Sequence, residues 1–235
     1  MGLSRGMGRA EEPATLIVVR HGETVWNAEH RWQGWLDSPL TARGEEQARR
    51  AAEALDGMAL DHVYSSDVGR ALRTAEIIVA GRGLAPEPVA ALRERNYGGY
   101  EGLNREEIEK RYPGTRFREG TDRRETWRPP DGETFEEVRA RVRPFLAQAV
   151  ARHAGQTVLM VTHSGTVRVI DGMVRGCSLD DIWHRHPPNA CVYVLRAWGD
   201  GRFEVVRDMF DGDGPEVGAS GRPGEALPPY ATERA

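Results

Sequence analysis

Two histidines each follow a short apolar run and open a glycine-containing turn. Residues 16–19 lead into Arg20-His21-Gly22-Glu23-Thr24, and residues 157–162 lead into His163-Ser164-Gly165. A neutral imidazole, with an unperturbed pKa of ~6.5, is a competent nucleophile near neutral pH. Two further runs end in Ser65-Ser66-Asp67, with Arg70 shortly after, and in Arg93-Glu94. Imidazole, guanidinium and carboxyl groups together suit transfer of an anionic group: guanidiniums bind its oxygens in pairs, an imidazole attacks and a carboxyl moves a proton. A lone histidine at a strand end is most often a satisfied core residue, so the weight comes from four such segments together. His184 and His186, near Asp180 and Asp181, lack metal-ligand spacing and run into Pro187-Pro188, so a loop is expected and no metal site. Cys177 and Cys191 fit neither a disulfide framework nor a zinc pattern and read as packing residues.

The elements that must bring these segments together can be read from hydrophobic period. Residues 16–19 form a buried strand, and 41–56 a helix with Ala48, Ala51, Ala52 and Leu55 on one face, stopped by Gly57. A strand at 62–65 precedes a helix from Val68, carrying Val68, Leu72, Ala75 and Val79. A short strand at 88–90 and a polar helix at 104–112 follow, then an irregular Arg-rich stretch up to Asp131. Thr134 and Glu137 form a capping box for a long helix whose stripe is Phe135, Val138, Val142, Phe145 and Ala149. Pro144 within that stripe is expected to kink the helix or move its start. Residues 157–162 form a fourth strand and 165–175 a helix. Strands at 190–197 and 202–207 finish the chain as a hairpin around Gly199-Asp200-Gly201. The alternation implies an α/β fold, an open, mostly parallel sheet with helices on both faces. Ligands in such sheets bind beyond the carboxyl ends of the strands, where all four segments fall.

The 235 residues, 39% hydrophobic, suit one domain at 14–210 between Gly-, Pro- and charge-rich flexible tails at 1–13 and 211–235. No apolar run approaches the ~20 residues that cross a bilayer. Arg5 and Arg9 precede no apolar stretch, and Gly6 stands where a myristoylation signal needs Ser or Thr, so a cytoplasmic location is expected. A net charge of -4 lacks the positive field of a non-specific nucleic-acid binder. Lys110 is the only lysine, so an arginine is informative only by its placement.

The segments RHGETVWN at 20–27, SSDVGRALRTA at 65–75, LRERNYGGYEG at 92–102 and THSG at 162–165 resemble the histidine phosphatase superfamily, the phosphoglycerate-mutase-like fold. The likeness spans about residues 15–208 and implies phosphoryl transfer through a phosphohistidine on His21, without a metal. The other ring nitrogen of His21 is expected to be held by a backbone carbonyl, with Gly22 as the source. A transferring phosphoryl group spreads charge over three oxygens, a need met by Arg20, Arg70 and His163. His163 opens a helix whose first amides add positive potential. By family position Glu94 protonates the leaving oxygen and then activates water, with Glu101 and Glu23 as alternative carboxyls. Asn27, Gln33, Gly34, Tyr97 and Ser164 are expected to contact substrate, whereas Arg73 and Arg168 read as structural.

Water as acceptor gives a phosphatase, and a second substrate hydroxyl gives a mutase. Ser65-Ser66-Asp67, residues 103–114 and 129–134, Asn189-Ala190-Cys191 and the short interval from Glu94 to His163 are similar to the phosphatase branch. Tyr97-Gly98-Gly99, Arg105 and the Arg123-Arg124 pair are similar to mutases, which would use 2,3-bisphosphoglycerate; no cofactor is otherwise expected. Substrate choice is assigned to residues 105–131, where Arg105, Arg116, Arg118, Arg123, Arg124 and Arg128 offer cations to a carboxylate or second phosphate. The favoured expectation is a phosphatase of small phosphorylated metabolites. A catalytically silent binder of phosphorylated ligands is the reading from another class, and Glu94 argues against it. Nucleic acid and membrane are not expected partners, and a homodimer is left open.

Overall fold

The computed structural model describes residues 12–210. The expected tails at 1–13 and 211–235 therefore lie outside the described residues, apart from Glu12 and Pro13; the Pro13 carbonyl already accepts a hydrogen bond from Gly155 N at 3.3 Å.

Six strands make one sheet in the order β3-β2-β4-β1-β5-β6, with β1 at Ala14–Arg20, β2 at His62–Ser65, β3 at Glu87–Pro88, β4 at Thr157–Thr162, β5 at Val192–Ala197 and β6 at Phe203–Arg207. β1 runs parallel to β4, and β2 parallel to both β3 and β4. β5 is antiparallel to β1 and to β6. Successive residues of a strand point to opposite faces, so Leu16 and Val18 enter one core while Ile17 and Val19 enter the other.

Short α1 (Val25–Ala28) follows the first strand, α2 (Ala42–Ala54) and α3 (Gly69–Ile78) cover one face, and α4 (Arg105–Arg111) lies in the long connection. The other face is covered by α5 (Phe135–Arg152), α6 (Ser164–Arg175) and α7 (Leu179–Ile182). Each fully buried aliphatic side chain in these layers is worth about 1.5–3 kcal/mol of transfer free energy, which is what holds the helices to the sheet. Trp32, Tyr97, Tyr100 and Ile108 form a small third cluster under α4.

One expectation changes and another is narrowed. The third strand is only two residues long, because pairing stops after Tyr64 opposite Glu87 and Ser65 opposite Pro88. Ser65 O then accepts Val89 N at 2.7 Å, and Ala90–Leu92 turns into a 3-10 helix. In α5 the start is not moved by Pro144: Thr134 Oγ1 accepts Glu137 N at 3.2 Å, Glu137 Oε2 accepts Thr134 N at 2.8 Å, and the helix runs on to Arg152. Pro144 lies on the exposed side, as does Ala140 four residues before it, so the carbonyl that loses its partner faces solvent.

The parallel register sets up the site. Arg20 lies opposite Thr162 and Ser65 opposite Val161, so three strands end level. Continuing past these ends, His21 N donates to Thr162 O at 2.9 Å and Ser66 N to Val161 O at 2.8 Å.

Candidate active site

His21, Arg70, Glu94 and His163 converge in the interior at these strand ends, and all four are buried. The rings of His21 and His163 are 5.1 Å apart, edge to face. His21 Nδ1 lies 2.7 Å from Gly22 O, a carbonyl that can only accept, so Nδ1 carries the ring proton and donates it in this bond, and the lone pair is on Nε2. Gly22 itself is sterically fixed: a Cβ there would sit 2.3 Å from Gly44 O. Burial, then the charges of Arg70 and Arg20, hold the His21 pKa well below 6.5, outweighing the bond to Gly22 O, which pulls the other way. The imidazole is therefore neutral and nucleophilic at neutral pH.

His163 is depressed in the same direction by burial, Arg70 and His21. Its Nε2 is 2.8 Å from Ser66 Oγ, which also accepts Val68 N at 3.4 Å. A Ser66 hydroxyl that donates to Nε2 leaves the ring proton on Nδ1, a buried atom without a hydrogen-bond partner among the described residues. Arg70 supplies a second such donor. Its Nη1 and Nη2 bond Leu36 O and Gly34 O, each at 2.7 Å, and Nη1 also meets Asp37 Oδ1 at 3.2 Å, while Nε is buried without a partner. Buried polar atoms in native proteins are nearly always satisfied, so unpaired donors beside a neutral imidazole make a place suited to an anion.

Glu94 is held from several sides. Oε1 accepts Arg95 N at 2.8 Å, and Oε2 accepts Gly165 N at 3.0 Å from the first turn of α6. Its own carbonyl accepts from Trp35 Nε1 at 2.9 Å and from Arg141 Nη2 at 2.8 Å. Arg141 also binds Ala91 O and Arg93 O, gripping the turn that carries Glu94. Neither alternative carboxyl is so placed. Glu101 accepts Trp35 N, Tyr97 N and Leu36 N, each at 3.0 Å, and so holds the 34–36 loop; burial raises its pKa. Glu23 accepts Thr41 Oγ1 at 2.9 Å.

Arg20 reaches Pro187 O at 2.6 Å. Asn27 Oδ1 accepts from Thr24 N and Thr24 Oγ1, each at 3.2 Å, and Asn189 Nδ2 lies 3.4 Å from it. Gln33 is buried with Oε1 unpaired, Gly34 takes a left-handed φ of 55° beside Arg70, and Ser164 opens α6. Tyr97 instead packs edge to face on Trp32, 4.6 Å away, in the third cluster.

The Arg-rich segment is largely neutralised. Arg116 pairs with Glu109, Arg118 with Asp122 and Arg128 with Glu137. Arg124 is buried, bonds both oxygens of Glu119 at 2.9 and 2.6 Å, meets Asp180 at 3.4 Å, and lies between the rings of Phe117 and Trp183. Arg105 and Arg123 are exposed. Arg124 is thus a brace and not an open cation, a difference that its neighbour in sequence does not share. Arg168 is fully buried against Trp183 and bonds Arg185 O at 3.1 Å; burial and Arg20 lower its pKa to about 9. His186 contacts Arg168, and no three His, Cys, Asp or Glu side chains are grouped to hold a metal among the described residues. Among them, too, no helix is long and apolar enough to cross a membrane.

Sequence reasoning took Ser66 and Asn189 only as parts of Ser65-Ser66-Asp67 and Asn189-Ala190-Cys191, with no individual role, and did not single out Trp35 or Arg141. All four act through bonds to backbone or to another site residue, and their sequence neighbourhoods carry no periodic signal of that.

Residues 16–209 match the family model of the histidine phosphatase superfamily (branch 1), and the chain belongs to that superfamily. Its members are phosphatases and mutases. A probable phosphoglycerate mutase GpmB of Salmonella arizonae is 38% identical over 190 residues, covering 81% of this chain and 80% of the relative. The structure of Bacillus stearothermophilus YhfR superposes with a TM-score of 0.78 at 36% identity, covering 83% of this chain and 96% of that one. A mycobacterial glucosyl-3-phosphoglycerate phosphatase superposes with a TM-score of 0.71 at 28% identity, over 83% and 98% of the two chains.

Proposed function

We propose that this chain is a phosphomonoester hydrolase that acts on small phosphorylated metabolites through a phosphohistidine at His21. The observation that carries the reading is the His21 ring: Nδ1 tied to Gly22 O, the imidazole kept neutral, and Arg20, Arg70 and His163 around it. His21 Nε2 attacks phosphorus, forming the N–P bond as the P–O bond to the substrate alcohol breaks. Glu94 passes its proton to that departing oxygen, since an alkoxide is a poor leaving group. Water then attacks phosphorus, Glu94 takes its proton, the N–P bond breaks and inorganic phosphate leaves. The guanidiniums and the Nδ1 proton of His163 balance the phosphoryl charge, the task a metal performs elsewhere. No cofactor enters this scheme.

Hydrolysis is favoured over mutase activity by the state of the Arg123-Arg124 pair. A mutase must grip the distal group of a bisphosphorylated intermediate while keeping water away, and Arg124 is already committed to Glu119 and Asp180. The mutase reading keeps support from the relative named as a phosphoglycerate mutase. The deciding assay follows 3-phosphoglycerate with and without 2,3-bisphosphoglycerate. Phosphate release should exceed isomerisation; rapid interconversion to 2-phosphoglycerate that depends on the bisphosphate, with little hydrolysis, would establish the mutase.

A further inference from the structure

The segment just before β5 touches three residues of the phosphoryl site. Pro187 O accepts the Arg20 guanidinium at 2.6 Å. Ala190 N is shared between Arg20 O at 3.0 Å and His21 O at 3.3 Å. Asn189 Nδ2 donates to His21 O at 3.0 Å and to Asn27 Oδ1 at 3.4 Å. A primary amide has two hydrogens on its nitrogen, so one Asn189 side chain can serve both acceptors. The turn that presents it is closed by Cys191 N on Pro188 O at 3.2 Å and puts Ala190 at a φ of 55°. A residue with a Cβ takes that left-handed conformation at a cost, and such costs collect where function needs the geometry.

We propose that Asn189 is a positioning residue for the phosphoryl site: it links the backbone of the nucleophile to Asn27 and sets which end of the Asn27 amide faces the substrate phosphate. Three donors, Thr24 N, Thr24 Oγ1 and Asn189 Nδ2, point at Asn27 Oδ1. Turning the amide over would bring its NH2 against the two N–H donors, Thr24 N and Asn189 Nδ2, so Oδ1 stays inward and Nδ2 is the end left to donate to an anion. The same Asn189 nitrogen fixes His21 O, so the donor and the nucleophile keep one spacing. Asn189 acts through Asn27 and His21 and needs no contact with substrate. The inference rests on the phosphohistidine reading above.

The test uses orthovanadate as a phosphoryl mimic, its inhibition constant measured for the wild type, Asn189→Ala, Asn27→Ala and the double variant. A hydrogen bond to a charged group corresponds to a factor of roughly 10–100 in affinity, so each single variant should weaken vanadate by at least ~10-fold. If Asn189 works through Asn27, the double variant should bind within about threefold of Asn27→Ala, the non-additivity of coupled residues. Asn189→Asp, which retains the shape but sets an oxygen against His21 O and Asn27 Oδ1, should bind no better than Asn189→Ala and serves if the alanine variant does not fold. Wild-type vanadate affinity in either Asn189 variant, or losses that multiply in the double variant, would overturn the proposal. A wild type that neither binds vanadate nor forms a phosphoenzyme would remove the phosphohistidine reading and this inference with it; a phosphoenzyme with unaffected Asn189 variants removes the inference alone.

Discussion

Glu94 Oε2 and Gly165 N are 3.0 Å apart although 71 residues separate them in the chain. The bond ties the proposed acid to the helix that His163 opens. A Cβ at position 165 would lie 2.3 Å from Glu94 Oε1 and 3.0 Å from Phe135. Gly165→Ala should therefore displace the carboxyl while leaving α6 folded, since alanine favours helix over glycine. The expected outcome is a kcat reduced ~10–100-fold on alkyl phosphates, within the range of general acid catalysis, with vanadate affinity close to wild type. Steady-state kinetics with and without vanadate checks it.

Replacing Glu94 separates proton transfer from binding. Glu94→Gln should slow an alkyl phosphate by ~10² or more, and 4-nitrophenyl phosphate far less because its leaving group needs no proton. Equal losses on the two substrates would remove Glu94 from the acid role.

The depressed histidines set a pH dependence with a definite sign. His21 and His163 titrate well below 6.5 in the folded chain, whereas in the unfolded chain they titrate near ~6.5. Below that value the unfolded state binds protons that the native state refuses. Their contribution to stability is complete above pH ~6.5 and is lost as pH falls toward the folded values. The acid limb of kcat/KM set by the nucleophile should likewise lie below 6.5. Denaturant melts from pH 7.5 to 5 (about the span over which free histidine titrates) should show a slope that flattens in His163→Gln.

The two arginines of the 123–124 pair should behave differently. Arg124→Ala strips a buried brace from Glu119, Asp180, Phe117 and Trp183. It should cost about 1–3 kcal/mol, less than a fully buried pair because the carboxylates are partly exposed. Arg123→Ala, on an exposed side chain, should leave stability within about 0.5 kcal/mol. If Arg123 meets substrate, the change raises KM for dianionic metabolites with kcat for a small aryl phosphate unchanged. Thermal melts and kinetics on both substrates decide this.

His21 and His163 could be found in the sequence because each directly follows a strand whose apolar run is plain, and parallel pairing brings such ends together, with Arg70 in the first turn of the helix after β2. The sheet and its covering helices were legible for the same reason. Glu94 follows only a two-residue strand and a 3-10 turn and was legible through its likeness to the superfamily. Arg141 was not, since from the middle of a helix it reaches carbonyls 47 to 50 residues away. Arg124 showed only its charge in the sequence, and its neutralisation by Asp180 depends on packing between distant segments. β3 was placed late because a two-residue pairing leaves no periodicity to read.

The central claim is that the phosphoryl group rests on His21. Rapid acid-free quenching of wild type mixed with a ³²P-labelled phosphomonoester, followed by peptide mapping, measures it directly. The expected result is acid-labile, base-stable label on the peptide carrying His21, absent in His21→Ala, formed in excess EDTA and released to water as inorganic phosphate. Label on another residue, or full turnover by His21→Ala, would contradict the account.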